Sequence, residues 1–212
     1  MEVICKLNNI VKTYGNRKIL NDFNLEINKG ELVAIKGKSG VGKTTLLNIM
    51  GLIEKIDNGK IILFGEDVTK ITNNQLNKLL RNKISYLFQN YALIDSESID
   101  KNLDIALTYS KQNKKEKKIL KENALKKVGL NISTKSKIYE LSGGEQQRVA
   151  IARIMVKPSD IILADEPTGS LDSNTKHEII QLLKTMNAEG KTIIIVTHDD
   201  EVSDYCDRII EL

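Results

Sequence analysis

Leu32-Val33-Ala34-Ile35 is a short apolar run that leads, one residue on, into Gly37-Lys38-Ser39-Gly40-Val41-Gly42-Lys43-Thr44, and a helical pattern begins at about Lys43. Apolar strand, glycine-rich loop and helix in immediate succession form a strand–loop–helix unit, which restricts the chain to a small set of α/β folds. The glycines let successive backbone N–H groups turn inward, and the helix N-terminus adds the positive end of its dipole. The spacing fits G-x-x-x-x-G-K-[ST], a loop that cradles the phosphates of a nucleoside triphosphate. In that pattern Lys43 reaches the β- and γ-phosphates, the Thr44 hydroxyl ligates Mg²⁺, and Thr45 lies beside them.

The rest of the chain repeats the alternation. Val3, Cys5 and Leu7, and then Phe23 to Asn28, alternate with period two and predict strands with one buried face. Tyr14-Gly15-Asn16 between them is turn chemistry. Ile61–Phe64, Ile84–Phe88, Ile161–Ala164 and Ile193–Val196 are further short buried-strand candidates, with helical spacing between them, as at Ile179, Leu182, Leu183 and Met186. Such alternation predicts an α/β domain with a largely parallel sheet. Tyr91 to Glu140 lacks strand signals and carries the helical pattern Ile119, Leu120, Ala124, Leu125 and Val128, stopped by Gly129. It reads as a helical insertion between two halves of one domain.

Composition narrows the function classes. The longest apolar stretch is about five residues, Ile49 to Ile53, against roughly 20 for a membrane span. The start, Met1 to Lys6, lacks the basic and apolar regions of a secretory signal. Cys5 and Cys206, without a CxxC or His-rich context, read as reduced structural thiols. Net charge is +4, and eight Lys against two Glu fall between Lys111 and Lys127. That run reads as the solvated face of a helix; an anionic membrane surface or a partner's acidic loop would also suit it. Without interleaved Arg or aromatic residues it does not suit nucleic acid.

Two further segments carry chemistry. Ile161-Ile162-Leu163-Ala164-Asp165-Glu166 is an apolar strand ending in paired carboxylates. Asp165 suits the Mg²⁺ shell, and Glu166 suits polarising a water for in-line attack on the γ-phosphate. Taken alone, the pair is equally a strand followed by an acidic helix cap. Leu141-Ser142-Gly143-Gly144-Glu145-Gln146-Gln147 is a second glycine-bearing turn that opens a helix about 20 residues earlier.

This last segment resembles the signature motif of the ABC-type ATPases, and the resemblance covers the chain from about Val3 to Leu212, in the family's order of landmarks. It implies a P-loop NTPase (RecA-like) core, about 1–90 and 158–212, an N-terminal antiparallel β subdomain, and an α-helical subdomain inserted at about 91–157. Tyr14 matches the aromatic residue that stacks on adenine. Gln89, in Phe88-Gln89-Asn90, matches the glutamine that contacts Mg²⁺ or the attacking water and senses the membrane partner. Ser170-Leu171-Asp172 matches the loop coupling the two sites of a dimer, and His198 the histidine that contacts the γ-phosphate. His177, in a helical pattern, reads as an incidental histidine.

The phosphate loop already supplies one anion cradle, so a second at Ser142, Gly143 and Gly144 makes sense if it closes the ATP site of another copy. The expectation is a head-to-tail two-fold homodimer with two ATP molecules at its interface. Thr45 to Gly51, Gln146 to Arg153 and Ala164 to Asp172 resemble the macrolide-export and lipoprotein-release branch. Phe88 to Asp95 is similar to a lactococcin-type bacteriocin export subgroup, although the Pro usual near Asp95 is absent. The branch implies an ATPase, peripheral on the cytoplasmic face of the membrane, that docks on a permease through Asn90 to Ile94. A motor for a non-transporting partner in cell-wall remodelling or division would look almost identical. Only about 50 residues separate Gln89 from Leu141, too few for the coiled-coil insertion of DNA-repair relatives.

Overall fold

The computed structural model describes residues 2–169 and 171–212; Ser170 lies outside the described residues. Nine strands form two sheets among these residues. β1 (Val3–Tyr14), β2 (Arg17–Asn28), β4 (Asn58–Leu63) and β5 (Glu66–Asp67) make an antiparallel sheet in the order β2-β1-β4-β5. β3 (Leu32–Lys36), β6 (Ile84–Leu87), β7 (Ile161–Asp165), β8 (Thr192–Val196) and β9 (Arg208–Glu211) make a parallel sheet in the order β6-β7-β8-β3-β9. The helices are α1 (Lys43–Met50), α2 (Asn73–Asn82), α3 (Ile99–Ala106), α4 (Lys114–Lys127), α5 (Gly143–Met155), α6 (Ser173–Ala188) and α7 (Asp200–Asp204).

The period-two pattern sorts the parallel strands' side chains into two cores. Val33 and Ile35 of β3, Leu163 of β7 and Ile194 and Val196 of β8 join Leu46, Leu47, Ile49 and Met50 of α1 and the inner face of the antiparallel sheet (Cys5, Leu7, Ile27, Ile61). Their neighbours Leu32, Ile162, Ala164, Ile193 and Ile195 face the other way, onto α3 to α6. Each buried Leu or Ile contributes about 1.5–3 kcal/mol through removal from water, and a one-residue slip would exchange the two faces. The phosphate-loop helix is thereby clamped between two sheets.

The strand expected at Ile61–Phe64 is found over residues 61–63, in β4, and pairs antiparallel with β1, Leu7 opposite Ile61. One expectation needs correcting. The Lys111–Lys127 run is not uniformly solvated: Lys121 is buried, and its ammonium donates to Asp100 at 2.5 Å and Asp104 at 2.9 Å on α3. Burial pulls its pKa down, but the two carboxylates outweigh that and hold it above the ordinary lysine value. Gly129 does end α4. Its N–H and that of Leu130 donate to the carbonyls of Lys126 and Leu125, closing the last turn. Cys5 and Cys206 are both free thiols.

Candidate active site

Ligands of open α/β sheets bind beyond the carboxyl ends of the strands, and here three adjacent strands, β7, β8 and β3, deliver the chemistry there. The Gly37–Thr44 loop leaves the end of β3, Asp165 ends β7, and His198 lies two residues beyond β8. A cavity of about 680 Å³ opens above them, lined by Tyr14, Ile19, Gly37 to Gly40, Gly42 to Thr45, Gln89, Asp165, Glu166, Val196 and His198. Of the residues expected at the nucleotide, Val41, Ser142, Gly143 and Gly144 are the ones that do not border it.

The loop's shape follows from its sequence. Gly42 caps α1 at φ +118°, and a Cβ there would lie 2.4 Å from Ile19 Cγ2, so only glycine fits both the backbone and the packing. From β2, Arg17 donates to the Gly40 carbonyl at 2.8 Å. The Lys43 side chain curls under the loop, donating to the carbonyls of Gly37 (2.8 Å) and Lys38 (3.2 Å). Its ammonium therefore lies where the loop's N–H groups and the helix dipole also converge.

The carboxylates have different environments. Asp165 is buried, and the Thr44 hydroxyl donates to it at 3.2 Å. Burial first, and the neighbouring Glu166 charge, raise the Asp165 pKa above the ordinary aspartate value, against the pull of Thr44 and Lys43. A hard cation at this hydroxyl–carboxylate pair would offset that excess negative charge. Mg²⁺ in phosphate sites takes one or two carboxylates beside phosphates and water, which Asp165, with the Thr44 hydroxyl beside it and Gln89 at the cavity wall, fits. Glu166 has φ +44°, an unusual value for a non-glycine residue, and three of its contacts reach it from the end of β8. Its N–H donates to the Val196 carbonyl at 2.9 Å, Thr197 Oγ1 donates to its Oε2 at 3.2 Å, and His198 Nδ1 lies 2.7 Å from its Oε1. Among the described residues, both side chains that contact this carboxylate follow directly on the end of β8.

The signature segment is built as a helix cap facing outward. Ser142 caps α5: its Oγ accepts from the Glu145 N–H at 3.3 Å, and its own N–H donates to Glu145 Oε2 at 2.8 Å. Ser142 and Gly143 are exposed. Gly144 approaches α6 closely, since a Cβ there would sit 2.7 Å from Thr175 Cγ2. Asp172, which caps α6, accepts from the Thr175 hydroxyl at 2.6 Å. Gly144 and Asp172 thus both pack against Thr175 of α6.

A 38% identical solved structure superposes on 99% of this chain and 94% of its own with a TM-score of 0.91: the ATP-binding cassette MJ0796, a post-hydrolysis dimer bound to ADP and Pi. The cbiO1 protein of Clostridium perfringens, part of the ABC transporter complex cbiONQ, matches at 31% identity and TM-score 0.89, over 100% and 85% of the two chains. The ABC transporter family model matches residues 20–169. The chain belongs to the ABC transporter family. It is an ATP-binding domain of that family and an ATP hydrolase by class. The macrolide export ATP-binding/permease protein MacB of Shewanella sp. strain ANA-3 is 42% identical over 92% of this chain and 30% of its own length. MacB of Pasteurella multocida strain Pm70 is 38% identical over 99% and 33%. The chain spans about a third of these relatives. No helix among the described residues is long and apolar enough to cross a membrane.

Sequence reasoning missed several residues that shape this ATPase site. Thr197 is fully buried, donates to Glu166 and accepts from the Asp199 N–H at 3.0 Å. Its place beside His198 was the available signal. Ile19 and Arg17 come from a hairpin some 20 residues before the loop they support, and nothing in the local sequence marks them.

A second cavity, of about 760 Å³, lies between α2 and β6 on one side and α3 and α5 on the other. Phe88, Tyr86, Ile105, Leu107 and Ile154 give it apolar walls. Arg81, Lys111, Arg153 and Lys157 border it with no carboxylate in the lining, and none of the four has an ion-pair partner among the described residues. Ala92 is part of the wall, and Arg153 donates to the Tyr91 carbonyl at 2.8 Å.

Proposed function

We propose that this chain is the ATP-driven motor of an ABC exporter, acting as a two-fold homodimer on the cytoplasmic face of a membrane permease. The observation that carries the reading is the gathering of Lys43, Thr44, Gln89, Asp165, Glu166 and His198 on one cavity, with Ser142 and Gly143 exposed elsewhere. The loop N–H groups and Lys43 bind the β- and γ-phosphates, and Tyr14 stacks on adenine. Thr44, Asp165 and Gln89 hold Mg²⁺, which offsets charge on the phosphate oxygens when bound. Glu166 orients a water in line with the γ-phosphorus and takes its proton as the bond to the β–γ bridging oxygen breaks. His198 steadies the Glu166 carboxylate beside the γ-phosphate.

Ser142, Gly143 and Gly144 close the partner copy's site, so ATP holds two chains together and hydrolysis releases them. The apolar cavity with its cationic border receives a permease segment carrying carboxylates, next to Asn90 to Ile94, so that Gln89 reports on both. The likeness to macrolide export proteins favours export, and the branch resemblance of Thr45 to Gly51, Gln146 to Arg153 and Ala164 to Asp172 suits a drug, peptide, bacteriocin or lipoprotein as cargo. The test is co-purification with the permease from native membranes. Arg81→Glu with Lys111→Glu, both on the cavity border, should release the permease while the isolated chain keeps its ATPase. Retention of the permease at the unmodified level would contradict the docking, and recovery of a partner that recruits cell-wall hydrolases would contradict export.

A further inference from the structure

We infer that Lys12 is a positioning residue for the nucleotide base, acting through Tyr14. Tyr14 ends β1, is 46% exposed and borders the phosphate cavity; Lys12, two residues earlier on the same face of the strand, is buried and does not border it. The Lys12 ammonium lies 4.8 Å from the Tyr14 ring centroid, within cation–π range. The ammonium therefore sits against the ring without occupying the cavity that the ring borders.

The ammonium is itself fixed. It donates to Glu54 Oε1 at 2.5 Å and to the Lys55 carbonyl at 2.8 Å. Its hydrogen bond to Glu54 outweighs burial and holds its pKa above the ordinary lysine value, so it stays charged. The same hydrogen bond from Lys12 keeps the Glu54 carboxyl below the usual range. The far end of this clamp belongs to the phosphate loop's own helix: the N–H groups of Ile53 and Glu54 donate to the Asn48 carbonyl of α1 at 2.9 and 3.2 Å. Lys12 thus ties the base platform to the helix whose other end carries Lys43 and Thr44, setting the span between ring and phosphate cradle. An exposed tyrosine at a hairpin end otherwise samples several rotamers, and binding a base would have to freeze it.

The inference rests on Tyr14 being the base platform, and the test separates the two. Affinities for ATP and for inorganic tripolyphosphate are measured calorimetrically on wild type, Tyr14→Ala, Lys12→Met, Lys12→Arg and the double variant Lys12→Met/Tyr14→Ala. Lys12→Met should weaken ATP about 3- to 10-fold and leave tripolyphosphate unchanged. Lys12→Arg should recover part of the loss, and the double variant should bind ATP no worse than Tyr14→Ala. Equal weakening of ATP and tripolyphosphate by Lys12→Met would reduce Lys12 to a structural residue. Normal ATP affinity in Lys12→Met with loss in Tyr14→Ala would overturn the role of Lys12 alone. Normal affinity in Tyr14→Ala would remove the platform and this inference with it.

Discussion

His198 Nδ1 and Glu166 Oε1 are 2.7 Å apart, although the histidine side chain is 74% exposed and the glutamate only 14%. The pair joins the end of β7 to the end of β8, and with Thr197 on the other oxygen it leaves Glu166 little rotational freedom. A carboxylate held this way is poised to accept a proton from a water placed over the phosphate loop. Glu166→Gln keeps the shape and both contacts but loses the basicity. Turnover should fall about 10²- to 10⁴-fold with ATP affinity retained, read from steady-state rates and equilibrium binding. Gel filtration with ATP should show the variant accumulating as a dimer.

Ser142 is exposed and caps α5, so its replacement separates two roles. Ser142→Arg should cost about 1 kcal/mol through the lost cap while each chain still binds ATP. Its large side chain should abolish ATP-driven dimerisation. A normal shift to dimer on gel filtration with ATP would contradict the placement of Ser142 in the partner's site.

Gly144 has no room for a side chain against α6. Gly144→Ala should destabilise the chain by about 1–3 kcal/mol through overpacking, despite the better helix propensity of Ala. Adding Thr175→Ser removes the methyl that clashes and keeps the hydroxyl bonded to Asp172. The double variant should recover most of the loss in chemical denaturation. Additive destabilisation would locate the strain elsewhere.

Lys157 donates to the Ile84 carbonyl at 2.5 Å, and burial, assisted by the Arg153 charge, lowers its pKa from the ordinary lysine value to about 8. Between about pH 8 and the unfolded lysine value of about 10.4, the folded chain binds fewer protons than the unfolded chain. Stability should therefore rise with pH across that window. Lys157→Met should flatten the rise. Acetylation of Lys157 followed by mass spectrometry should show a rate half-maximal near pH 8; a midpoint near that of an exposed lysine would contradict the burial argument.

The chemistry was the most legible part of the sequence, because phosphate loops and strand-end carboxylates are short patterns whose spacing is itself the function. Lys43, Thr44, Asp165, Glu166 and His198 share one cavity as that reading requires. Partnerships across long separations were not legible. Ile61 to Leu63 reads correctly as a strand, but its antiparallel partner lies more than 50 residues earlier in β1. β9 was missed because Arg208, Ile209 and Glu211 are exposed on an edge strand and carry no alternation. Lys121 sits in a run of solvated lysines, and only the packing of α4 against α3 gives it Asp100 and Asp104. Ile19 escaped for the same reason, since folding brings it to Gly42, and Lys12 because Glu54, which fixes its ammonium, lies far along the chain.

The central claim is that each ATP site is completed by a second copy of this chain. Its most direct test is the steady-state ATPase rate per chain as a function of chain concentration, with ATP saturating throughout. The expected result is a rate per chain that rises with concentration and then levels off, while ATP binding per chain stays constant. A rate per chain that is flat down to concentrations at which the protein is monomeric would contradict the claim.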